Sequence, residues 1–225
     1  MKEINYQVQG YRKTLKRLTV ATALTMSALS PASYGGTIDF KVVKFDDNLV
    51  RFESTARLEF VAGETKDISG EIRFDPHDLT ADLSGTLSVN LRTLKTGIEL
   101  RDEHMRERHL HTREFPLAKF DLASVEGLPK DITISDSAQA ATFKGEFTIH
   151  GVTREIEATG NIRYSRVNSV LENTFLGDSL FINVKFQIRL DDYEIPRPRA
   201  LFFKLAETIE IEVNAALLAT DKSAS

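Results

Sequence analysis

The chain has 225 residues, 41% of them apolar and 28% charged, with 33 acidic against 29 basic groups and a formal net charge of −4. It has no Cys, which excludes disulfides, thiolate metal sites and cysteine nucleophiles. Six Pro and 12 Gly are too few for a disordered or collagen-like chain.

Lys2, Arg12, Lys13, Lys16 and Arg17 make a basic start. Leu18 to Leu29 is uncharged and mostly apolar, and Ser30-Pro31-Ala32 supplies small residues for a signal peptidase. This three-part layout predicts a cleaved signal peptide over residues 1–33 and a periplasmic mature protein. The apolar run is 12 residues long, too short to cross a hydrocarbon core of roughly 30 Å as a helix. No Cys follows it, so a lipoprotein anchor is not expected. Residues 34–225 keep 24 basic and 32 acidic groups, a net charge of −8. Such a chain is a poor match for nucleic acid or an anionic membrane surface.

Period-two alternation follows. Ile38, Phe40 and Val42 mark a first strand. Val50, Phe52, Ser54, Ala56, Leu58 and Phe60 then share one side of an extended segment, with Arg51, Glu53, Thr55, Arg57 and Glu59 on the other. That is a strand with one dry and one wet face. Ile68, Gly70, Ile72 and Phe74 repeat it, then Leu83 to Leu91. Ile98 to His111 breaks the pattern: it is dense in charge, lacks alternation and follows Thr96-Gly97, which predicts one short helix. Thr112 to Pro116 ends it, because the residue before Pro disfavours the α region.

Alternation resumes at Phe120 and Leu122, then over Phe143 to Ile149, Ile156 to Tyr164, Leu180 to Leu190 and Ile209 to Leu217. Asp46-Asp47-Asn48, Gly63-Glu64, Asp75-Pro76, His150-Gly151 and Asp191-Asp192 read as turns. The pattern predicts an all-β domain over residues 37–219, with about eight to ten antiparallel strands and a polar tail at 220–225. An open sheet of this size leaves unpaired edges, so closure into a barrel or sandwich is expected.

Gly70, Gly85, Gly145 and Gly160 fall mid-strand on the dry side. Gly there adds nothing to the interior and costs roughly 0.5–1 kcal/mol against Ala. Two readings follow: an elongated void lined by Phe and Ile, or bulges and corners of a barrel.

Several motifs resemble the YceI-like polyisoprenoid-binding family. Thr96-Gly97 precedes Arg101-Asp102-Glu103-His104-Met105-Arg106, and then Phe115-Pro116 and Phe120. Gly145-Glu146-Phe147-Thr148-Ile149-His150-Gly151-Val152-Thr153-Arg154 resembles a second family signature. Ser69 to Pro76 and Phe186 to Tyr193 are similar to two further pieces. The chain departs from the pattern at Asp46-Asp47-Asn48-Leu49, at Phe115 and at Glu155. The resemblance implies a closed, lipocalin-like antiparallel barrel that holds an isoprenoid or similar amphiphilic lipid along its axis, with the helix by the mouth.

The candidate cavity lining is Phe52, Leu58, Phe60, Gly70, Ile72, Phe74, Gly85, Leu87, Phe143, Gly145, Phe147, Gly160, Ile162, Ile182, Val184, Phe186, Ile211 and Val213. Arg101 and Arg106 are candidates to meet a headgroup, or else serve helix capping and pairing such as Asp102 with Arg106. His104, His109 and His111, with His77 and His150 in reserve, do not make a zinc pattern. His109 points roughly 140° away from His104 on a helix. No metal, cofactor or catalytic residue is expected.

The expected partner is a hydrophobic-chain small molecule, with transient membrane contact and a homodimer as further expectations, and no nucleic acid. Two alternatives remain open: an outer-membrane-type β-barrel, and a lipid-modifying enzyme using the His104/His111 region.

Overall fold

In a computed structural model the alternation resolves into ten antiparallel strands among the described residues, 36–75, 83–128, 137–165, 178–197 and 205–220. The expected signal peptide at 1–33, His77 and all but the first residue of the expected tail lie outside them. The strands are β1 (Ile38–Val42), β2 (Leu49–Thr55), β3 (Phe60–Thr65), β4 (Ile68–Phe74) and β5 (Ser84–Asn90). Then come β6 (Leu117–Glu126), β7 (Gln139–Ile149), β8 (Val152–Ser165), β9 (Ser179–Arg189) and β10 (Thr208–Ala219). Their order is β1-β4-β5-β6-β7-β8-β9-β10-β2-β3, and β1 also pairs with β10, which closes the barrel.

The ring has eight positions, because two of them are shared by consecutive strands. β1 and β2 lie end to end along one edge of β10: Val42 faces Leu217 and Leu49 faces Asn214. Asn48 stands at the break, almost fully buried. Its amide donates to Val43 O at 2.6 Å and its Oδ1 accepts the Ala216 N–H at 2.8 Å. One side chain thus satisfies the backbone groups that the break leaves unpaired. β4 pairs with β1 and β3 with β2, so β3 and β4 are a second broken strand. Closure of this kind removes the edges of an open sheet.

The closed end of the barrel is filled by aromatic rings. Phe40 and Phe74 stack with centroids 5.1 Å apart, and Tyr164 meets both edge-on at 6.0 and 6.2 Å. Leu180 and Leu217 are buried with them. The Tyr164 hydroxyl donates to Asp178 Oδ2 at 2.8 Å, so the buried ring keeps a partner for its polar end.

The predicted helix is shorter than 98–111. Regular α1 spans Glu99–His104, and Met105–His109 widens into a π turn. Leu110 N donates to Met105 O and Thr112 N to Arg106 O. His111, at φ 45°, ends the segment.

The second alternating run contains a reversal of direction. β2 stops at Thr55, Ala56 N donates to Glu59 O at 3.0 Å, and β3 begins at Phe60. Gly63-Glu64, expected as a turn, lies inside β3. His150-Gly151 is a two-residue hairpin turn as expected, with φ 56° and 77°.

Candidate functional site

Above the aromatic floor the barrel encloses a cavity of about 520 Å³. It exists because the waist of the barrel is lined by small side chains. Val50, Gly85, Ala118, Ala158, Val184 and Val213 face the lumen there, contributed by six different strands. Phe52, Ile72, Leu87, Phe143, Phe147, Ile182, Phe186 and Ile211 complete the part of the wall expected from the alternation. Few polar groups reach it, so a guest is held by contact area, at roughly 25 cal/mol per Å² buried.

The remaining expected residues stand elsewhere. Leu58 and Phe60 point outward, 71% and 55% exposed, because the chain reverses at Ala56–Glu59. Phe74 and Ile162 belong to the floor, around a small void of about 20 Å³ under the main cavity. Gly145 and Gly160 line no void: a Cβ at either would stand 2.2 Å from Asp121 O or 2.0 Å from Asn183 O. Gly70, at φ 145°, would place one 2.1 Å from Thr86 O. These three mark close approach between neighbouring strands. Gly85 alone of the four lines the cavity.

Further strand residues, among them Val61, Ile68, Val89, Ile149 and Ile209, also line it, and another part of the wall comes from the connections at the open end, which carry no period-two signal. Leu91, Leu94, Ile98, Leu100, Met105 and Leu110 come from the β5–β6 connection; Ile195 and Leu205 come from the β9–β10 connection. Ile98 and Leu100 are also 54% and 62% exposed, so the cavity reaches the surface between the helix and the barrel rim. Their only sequence signal is that they are apolar residues in an otherwise charged segment.

A polar knot holds this segment in place. The buried Asp102 carboxylate accepts the Thr96 backbone N–H at 2.7 Å and the Thr96 hydroxyl. Arg101 Nε donates to Thr96 Oγ1 at 2.8 Å and its Nη2 to Thr96 O at 3.0 Å. Gly97 follows at φ 81°, a conformation that favours Gly. Asp102 therefore pairs backward with Thr96 and not with Arg106. Arg106 is not part of the cavity wall; its Nη1 donates to Leu94 O at 3.3 Å. Arg101 does line the mouth, with its Nη1 3.7 Å from Glu59 Oε1. Glu64 and Lys95 exchange backbone hydrogen bonds at 2.8 and 3.0 Å, which fastens the same segment to β3.

The histidines separate into two environments. His104 and His109 line the mouth, and His109 Nδ1 is 2.7 Å from Pro196 O. His111 turns away: its Nδ1 meets His150 Nε2 at 2.9 Å, and His150 Nδ1 lies 3.1 Å from Tyr193 O. A carbonyl only accepts, so His150 carries its proton on Nδ1. The 150–151 turn, the helical segment and the β9–β10 connection meet at this pair. Burial pushes the Tyr193 hydroxyl above its usual range. No group of three potential metal ligands occurs among the described residues.

Known proteins bear out the architecture. The family model described as "YceI-like domain" matches residues 37–217. A polyisoprenoid binding domain from Saccharophagus degradans, implicated in plant cell wall breakdown, superposes with a TM-score of 0.58 at 15% identity, covering 81% of this chain and 98% of that one. BcnA of Burkholderia cenocepacia superposes at 0.56 and 12% identity, over 75% and 95% of the two chains. No curated protein matches the sequence. The match over residues 37–217, on a closed antiparallel barrel with a short helix at its mouth, places this chain in the family of YceI-like domains.

Proposed function

We propose that this protein is an exported, periplasmic carrier that binds an isoprenoid or similar amphiphilic lipid inside its barrel, for transport, storage or scavenging. The carrying observation is the apolar cavity of about 520 Å³, closed by aromatic rings at one end and opening beside the helix at the other. A slim apolar chain suits this shape, since the wall offers area along its whole length and polar groups only near the mouth. The isoprenoid binding named for the Saccharophagus degradans domain supports the same class of guest.

Chemistry is not part of this reading. His104 and His111 were the candidates for acid–base work on a lipid, but His111 is engaged with His150 while His104 stands at the mouth. An outer-membrane barrel is disfavoured by the outward face, where Lys144 on β7 is flanked by Glu126 and Glu157 at 2.9 and 3.3 Å, and Lys185 on β9 pairs with Glu212 at 3.2 Å. A lipid-facing wall carries an apolar band there instead.

The test is native mass spectrometry of protein purified without detergent, with organic extraction and mass analysis of whatever is released. A bound isoprenoid or other long-chain lipid, unchanged after prolonged incubation, is the expected result. Repeated recovery of empty protein that also takes up no added isoprenoid overturns the proposal.

A further inference from the structure

All five large hydrophobic residues exposed among the described residues, Leu58, Phe60, Ile98, Leu100 and Leu117, lie at the open end. Four of them form one patch. Leu58 and Phe60 flank Glu59 on the β2–β3 hairpin, and Ile98 and Leu100 precede Arg101; the Glu59–Arg101 ion pair at 3.7 Å brings these two pairs together. Ile98 and Leu100 also line the cavity, so that half of the patch is continuous with the lumen. Water contact with side chains this large is unfavourable, and a patch contiguous with a binding cavity marks a surface that is covered in use.

Charge beside the patch indicates what covers it. The chain beyond residue 33 is strongly acidic, yet the connection 91–116 carries six Arg and Lys against five acids. Asp102 is buried against Thr96, Glu107 and Arg113 pair at 2.8 Å, and Arg101 pairs with Glu59, which leaves Arg92, Lys95, Arg106 and Arg108 against Glu99, Glu103 and Glu114. Arg57 on the hairpin and Lys119 at the mouth add two cations to the same rim. Large apolar side chains among cations, on an otherwise acidic protein, match the apolar interior and negative headgroups of a lipid surface.

We propose that the open end docks on the surface of a bilayer containing anionic lipid, inserting Leu58, Phe60, Ile98 and Leu100, so that the cavity mouth opens directly against the acyl chains. The docking explains how a guest passes between membrane and lumen without crossing water; in that respect it rests on the carrier reading.

The experiment separates docking from carriage. Flotation of the full chain is measured with phosphatidylcholine vesicles, with and without phosphatidylglycerol, at low and high NaCl. Uptake of a fluorescent isoprenoid alcohol from detergent micelles is measured in parallel, with no vesicles present. Leu58 and Phe60 do not line the cavity, so the Leu58→Ser/Phe60→Ser double variant is expected to load from micelles like the wild type. It is expected to float at least about tenfold less with the phosphatidylglycerol vesicles. Wild-type flotation is expected to need phosphatidylglycerol and to weaken as salt rises. Wild-type protein that stays off both kinds of vesicle, or a double variant that floats equally well, overturns docking and leaves carriage intact. Light scattering that shows a wild-type dimer which the double variant splits also overturns it, since a second copy would then cover the patch. Flotation without any uptake supports docking and counts against carriage.

Discussion

The largely buried Asp102 carboxylate accepts the backbone N–H of Thr96 at 2.7 Å, six residues back along the chain. The Thr96 hydroxyl donates to the same oxygen. Hydrogen bonds to an ionised group are worth about 1.5–3 kcal/mol, and removing the acceptor leaves two donors stranded. Asp102→Ala is expected to destabilise the fold by about 2–4 kcal/mol, read as a lower urea midpoint at pH 7. Asp102→Asn retains one acceptor and is expected to lose less. A variant as stable as the wild type would show that Thr96 finds other partners.

The glycines at close strand approaches and the lining glycine respond differently to a side chain. At Gly160 a Cβ meets the Asn183 carbonyl oxygen at 2.0 Å and Val184 Cα at 2.7 Å, both backbone atoms with nowhere to go. Gly160→Ala is expected to cost more than about 3 kcal/mol or to prevent folding. At Gly85 the nearest atom is Cγ1 of Ile72, at 2.9 Å. Gly85→Ala is expected to cost about 1–2 kcal/mol, with the barrel retained by circular dichroism. Equal stability of the two variants would contradict the assignment of Gly160 to a close approach of two backbones.

Filling the waist is the direct test of the cavity. Ala158 is 3% exposed and faces the lumen from β8. Ala158→Phe places a ring in empty space instead of against a neighbour. The variant is expected to fold with a melting temperature at or above that of the wild type, and to lose at least about tenfold in affinity for an isoprenoid alcohol, since the ring takes contact area from the guest. Unchanged uptake by a folded variant would place the guest elsewhere.

On the outer face, burial pushes the Glu212 carboxyl up, but the Asn183 amide, the Lys185 ammonium and the Arg51 guanidinium outweigh it and hold the group below its usual range. A carboxyl lowered by folding adds stability that is present above its unfolded pKa, about 4.3, and is lost as pH falls through the folded value. Glu212→Gln is therefore expected to be less stable than the wild type at pH 7, with the gap closing as pH falls below about 4. Urea titrations at pH 7 and pH 3 measure both ends. A gap that stays constant would mean that the Gln change acts through packing.

Most of the barrel was legible because burial is one-sided: Leu180 to Leu190 and Ile209 to Leu217 alternate without a break and form β9 and β10. The same period hid the reversal at Ala56–Glu59. Ala56, Arg57, Leu58 and Glu59 include no Gly, Pro, Asn or Asp, and alternation does not register the direction of the chain. That is why Leu58 and Phe60 read as lining and stand outside. Parity assigned Gly145 and Gly160 to the inner side, but the distance to the next strand depends on how sharply the sheet coils, which one strand's sequence does not carry. The part of the wall made by Leu94, Leu110 and Ile195 has no period to find, because irregular connections place it.

Among the described residues, the stacked rings of Phe40 and Phe74, with Tyr164 against them, stop the cavity at the end away from the helix. Under the carrier proposal, an elongated molecule too slender to dislodge them but too long to turn round inside would enter by one tip and withdraw by retracing its path. In the proposed carrier the tip that leads on loading would trail on release, so a receiving site would meet first the end that the donor let go last.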